Sequence, residues 1–88
     1  MSLLDSVSKA IETKIDELDK QVEAEQAEAD RRMAEAENEK AKADIQSQVK
    51  KNIEELQGKM DDAKKQLEEA RDASEERLQH LKKVFTGS

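Results

Sequence analysis

The chain has 88 residues, 43% charged and 34% apolar, with one phenylalanine, no proline, cysteine, tryptophan or tyrosine, and a formal charge of −6. Without cysteine, disulfides and thiolate metal sites are excluded. One aromatic does not furnish a compact globular core, and an acidic balance argues against nucleic-acid binding, which draws on clustered Lys and Arg.

The first element starts at Ser2. Its hydroxyl is placed to accept from the amide of Asp5, and Asp5 to reach back, as in a capping box. Leu3, Leu4, Val7, Ala10, Ile11, Ile15, Leu18 and Val22 then fall within an arc of roughly 140° at 100° per residue, an amphipathic helical stripe. The step Val7–Ile11–Ile15 is four plus four, a stutter that relaxes a left-handed supercoil. Charges at Asp5, Lys9, Glu12 and Asp16 interrupt this segment, so it reads as neither a secretory signal nor a membrane span.

From Glu23 to Asp44 no Leu, Ile, Val or Phe occurs. Seven alanines alternate with charges, and Met33 is the one large apolar side chain. Helix propensity stays high, and Glu28–Arg31, Glu28–Arg32 and Glu39–Lys42 suit helical pairing. Residues 23–47 carry eight acids and four bases, so this is the acidic part of the chain; residues 48–88 are balanced, with nine of each. The segment reads either as a solvated spacer or as the small side of a close helix pair.

Ile45 opens the second apolar half. Val49, Ile53, Leu56, Met60, Ala63, Leu67, Ala70 and Ser74 keep heptad spacing, the mark of a seam that a partner helix must cover. Gly58 lies on the outer face and weakens the helix by about 1 kcal/mol relative to Ala without breaking it. Doubled acids recur at heptad intervals from Glu54–Glu55 to Glu75–Glu76, with Lys50–Lys51 and Lys64–Lys65 between them. The seam then drifts to Leu78, Leu81 and Phe85. Lys82 and Lys83 suit a helix C-terminus, and Gly87 suits its left-handed cap.

Folding the chain about residues 43–45 sets the Ala-rich stretch against Ile45, Val49, Ile53 and Leu56. It also places Val22 near Gln66–Leu67, and Ile11 and Ile15 near Arg71 to Leu78. Small faces large, as close-packed layers require, whereas a parallel in-register dimer would stack the alanines on themselves. The expected fold is therefore all-α: a long-helix antiparallel coiled coil. It is either a helical hairpin bent near Asn38–Asp44 or a dimer of continuous helices of about 80 residues, roughly 120 Å long, and in either form it is expected to assemble into a helical bundle. Residues 1–88 form one unit, with an N-terminal half at 2–43, Ala-rich from 23, and a C-terminal heptad half at 44–86. In the hairpin form Asn38 ends the first helix and Asp44 starts the second.

The candidate site is the seam: Val7, Ile11, Ile15, Leu18, Val22, Ile45, Val49, Ile53, Leu56, Met60, Ala63, Leu67, Ala70, Leu78 and Leu81. It points to a non-enzymatic structural, oligomerisation or adaptor module in the cytoplasm. Its partners would be further copies of itself, as a dimer or higher bundle, or another protein's helix. Two alternatives are a lipid-surface helix, using the N-terminal stripe or Leu81–Phe85, and a regulator whose seam a partner protein completes. The lipid reading is the weaker, because the polar face is mixed and acidic. His80, the one histidine, shares a helix face with Glu76, but two ligands fall short of the three or four a metal site needs. No nucleophile–base arrangement and no Gly-rich phosphate loop can be assembled, so no cofactor and no small-molecule substrate is expected.

Overall fold

A computed structural model describes residues 2–86, with Thr86 described in its backbone alone. Three helices follow one another: α1 (Leu3–Glu35), α2 (Glu39–Arg71) and α3 (Glu75–Thr86). No strand occurs among the described residues. The first two helices have 33 residues each, about 50 Å at 1.5 Å per residue. Side by side as an antiparallel hairpin they account for a molecule 56 Å long and 18 by 17 Å across. The hairpin lies within one chain; a continuous helix through residue 38 is not what the chain adopts.

Each helix begins where a short polar side chain replaces a missing backbone partner. The Ser2 hydroxyl accepts from the Asp5 amide at 3.1 Å. Asn38 does the same for α2, its Oδ1 accepting from the Ala41 amide at 2.8 Å. The Ser74 hydroxyl accepts from the Arg77 amide at 3.2 Å and opens α3. Thus Asn38 starts α2, whereas it was expected to end α1, and Asp44 lies inside α2. The turn occupies residues 36–38. Ala36 leaves the helix with φ −69 and ψ 134, and Asn38 is extended at φ −148 and ψ 168. Any L-residue reaches these conformations, so the reversal needs neither glycine nor proline.

The turn lies some seven residues earlier than expected, and Val22 meets α2 about one heptad nearer the turn than expected. Val22 borders a hollow with Gln57 and Met60, where the expected neighbours were Gln66 and Leu67. A shift of one heptad leaves the phase intact, so the same positions still face inward. The half-buried hydrogen bond from Asn52 Nδ2 to Glu25 Oε2, 3.3 Å long, ties the two helices at this register. Gly58 sits within α2, and a Cβ added there would meet no atom within 4 Å.

The break at residues 72–74 was not foreseen. α2 ends at Asp72, whose amide donates to the carbonyls of Glu69 and Ala70, and α3 folds back along the hairpin. Its Leu78 and Leu81 join Val7, Ile11, Ala63 and Ala70 in one buried cluster, with Leu3, Leu4, Ile15, Leu67, Ala73 and Phe85 packed around it. Further along α3, Val84 and Phe85 reach the level of Leu18 and Ala63. The molecule is therefore unequal along its length. One end is a three-helix bundle with an apolar core, and the other is two helices ending in a turn. The Gly87 cap lies outside the described residues.

Candidate helix-docking grooves

All fifteen seam positions are buried or half-buried. They divide by location. At the three-helix end, Val7, Ile11, Ala63, Ala70, Leu78 and Leu81 lie within the monomer core. Val7 and Ile11 are 0% exposed and Leu81 1%, so these side chains have no area left for a partner. Leu18 and Val49 are also buried, but Ile15, Val22, Ile45, Ile53, Leu56, Met60 and Leu67 remain half-exposed, most of them where the structure is two helices thick. A helix pair covers each seam from one side alone, so grooves run along both flanks of the hairpin.

The larger stretch of groove on one flank lies beside Ala29, Met33, Val49 and Ile53 and encloses about 390 Å³. Ala29 is 1% exposed, covered by the facing helix. The expected small-against-large packing is realised at this alanine, while Ala24, Ala27, Ala34 and Ala43 are exposed. Of the nine residues lining the groove, Lys50 and Glu54 carry charge and three are glutamines, Gln26, Gln46 and Gln57. That is a low charge density on a chain with 43% charged residues. Gln57 also borders the next hollow, with Asp19, Val22, Met60 and Lys64, so the groove continues toward the three-helix end.

The opposite flank is more polar. Its hollow lies between Gln21, Ala24 and Glu25 of α1 and Asn52, Glu55, Leu56 and Lys59 of α2. Lys59 links it to the hollow that Val84 and Phe85 close. α3 thus lies along this flank and stops partway, and the flank containing Ala29 is clear of it.

Surface charges pair locally. Arg31 bridges Glu28 and Glu35, reaching the latter at 3.2 Å, and Lys42 lies 3.7 Å from Glu39. The Arg31 guanidinium, chiefly by hydrogen bonding, holds the Glu28 carboxyl below the ordinary glutamate value, and Glu28 in return raises Arg31. Arg77 of α3 lies 3.7 Å from Glu69 of α2 across the second break. All these groups are well exposed, where ion pairs contribute little. His80 and Glu76 border one shallow hollow with Ser74 and Arg77. Among the described residues no three side chains of the kinds that ligate metals come together, and no helix is long and apolar enough to cross a membrane.

The three-helix arrangement is what sequence reasoning missed. Its signal is present at Ser74-Glu75-Glu76, a capping residue followed by acids in the first turn of a helix. No protein-family model, curated protein or solved structure matches this chain.

Proposed function

We propose that this chain is a non-enzymatic structural or adaptor module that acts in the cytoplasm through helix–helix contacts along the groove beside Ala29. The observation that carries this is the groove's character: half-exposed Met33 and Ile53 flanking buried Ala29 and Val49, in a lining where two residues of nine carry charge. Depletion of charge at the centre and a polar rim are the composition of an interface. An amphipathic helix laid into such a groove would bury apolar side chains at helical spacing. The regulator reading differs only in who supplies that helix. A lipid surface is less well served, because Val7, Ile11 and Leu81, which it would need, are already inside the three-helix core.

A photoreactive amino acid at Ile53, in the groove, and another at Lys51, on the exposed flank, test this in the native host. Adducts of defined mass from position 53 and none from 51 are expected. No adduct at 53, or equal adducts from both sites, would overturn the proposal.

A further inference from the structure

Resting on that reading, we propose the chemistry of the groove's occupant: an amphipathic helix of another protein, with Lys and Arg along the edge that faces α1.

The two lips of the groove differ in charge. Glu12, Asp16, Asp19, Glu23 and Asp30 of α1 are all exposed. At 100° per residue they fall within about 60° of arc, on the side of α1 that borders the Ala29 flank. Asp19 borders the hollow with Val22 and Met60. Asp30 accepts at 3.0 Å from Gln26, which borders the groove itself. The bases of α1, Lys9, Lys14, Lys20, Arg31 and Arg32, all lie outside this arc. The lip of α2 is balanced. Along the same hollows Lys50 and Lys64 are offset by Glu54 and Asp61. Farther out, Glu39 and Glu68 each lie three residues before a base, Lys42 and Arg71. The flank as a whole is therefore acidic, and the excess lies along one lip.

The acids of that lip also oppose one another. Glu12–Asp16 and Asp19–Glu23 are four residues apart, and Asp16–Asp19 three. Like charges at these spacings destabilise a helix. At Arg31 and Lys42 the same spacings instead join acid to base. A base brought by a partner relieves the repulsion as it binds, so charge complementarity here favours the complex over the free chain.

The apolar part of the groove sets the rest of the occupant. Val22, Met33, Ile53 and Met60 are half-exposed along it. From Asp19 to Met33, α1 rises about 21 Å, roughly four turns. A helix of that length lays its apolar face between the two walls and its basic edge over Asp19, Glu23 and Asp30. A second copy of this chain does not match, because its own groove-side lips are one acidic and one balanced.

Two synthetic amphipathic helices of about five turns, alike in their leucine stripe, test this. The polar face of one carries lysine and that of the other glutamate. Binding to the full chain is followed by fluorescence anisotropy at about 0.1 M salt, where charges more than ~10 Å apart are largely screened. Circular dichroism verifies helicity. The lysine peptide is expected to bind at least about tenfold more tightly than the glutamate peptide. A photoreactive amino acid at Ile53 should capture it, and one at Lys51 should not. Asp19→Asn with Glu23→Gln and Asp30→Asn should weaken its binding about tenfold. Glu17→Gln with Glu55→Gln and Asp62→Asn removes as much charge from residues that border the opposite flank. That variant should stay within about twofold of wild type. Equal binding of the two peptides overturns the proposal. So does equal weakening by the two variants, which makes the attraction one of net charge alone, or equal capture at positions 53 and 51. Capture of a second copy at position 53, with the mass of a dimer in sedimentation equilibrium, overturns it as well. A protein trapped at position 53 in the host through a helix without that basic edge removes this occupant and leaves the docking groove standing.

Discussion

Leu81→Ala isolates the feature that makes one end of this molecule a three-helix bundle. Leu81 is 1% exposed and packs in the cluster with Val7, Ile11 and Leu78. Truncating a buried leucine costs 2–5 kcal/mol, depending on how far the site collapses. We place this one at about 3 kcal/mol, because a short surface helix can settle partway into the gap. α3 has 12 residues, close to the length below which an isolated helix is marginal in water, so it persists through docking and not through propensity. In a chain of this size, 3 kcal/mol corresponds to a melting temperature lower by roughly 12–24 °C. Urea unfolding followed by circular dichroism at one fixed concentration measures it. Val84→Ala is the control: three residues along the same helix and 57% exposed, it should stay within about 0.5 kcal/mol of wild type. If Leu81→Ala matches Val84→Ala, α3 is not docked on α1 and the account of the core fails.

Other outcomes follow from individual side chains. Gly58→Ala, in open space mid-helix, should stabilise by about 1 kcal/mol, read as a higher urea midpoint with unchanged slope. Asn38→Ala removes the acceptor for the Ala41 amide and should cost about 1 kcal/mol in the same assay, while Asn38→Gly should cost a few tenths. Glu28 should titrate below an ordinary glutamate, and Arg31→Ala should return it, as followed by carboxyl NMR. Because its folded pKa is depressed, whatever stability it contributes is present above the unfolded pKa and lost as pH falls through the folded one.

The all-α class and the inward set of residues were legible because a heptad pattern states which face needs cover, whatever supplies it. That insensitivity also explains the misplaced turn. Moving the reversal by one heptad preserves every inward position, so periodicity alone does not choose between residues 36–38 and residues near 44. The arbiter was local: Asn38 followed by Glu39 is a helix start. Reading Asn38 as a terminator put the bend on its wrong side. At Ser74 the same chemistry was hidden because the residue also fell in heptad register. The site was half legible. The seam contained the groove residues Val22, Val49, Ile53 and Met60, but it did not separate them from Val7, Ile11 and Leu81, which α3 covers. Only the break at residues 72–74, a few backbone dihedrals, makes that division.

The turn at residues 36–38 also bears on how the chain tolerates alteration. Glu37 and Asn38 are exposed and Ala36 half-exposed, and none of them belongs to the buried cluster. Lengthening the connection there changes loop-closure entropy alone, at about 0.6 kcal/mol for each doubling of length. A guest sequence spliced at Glu37 should be carried at the tip of a rod, far from the three-helix end, with the folding of its carrier nearly undisturbed.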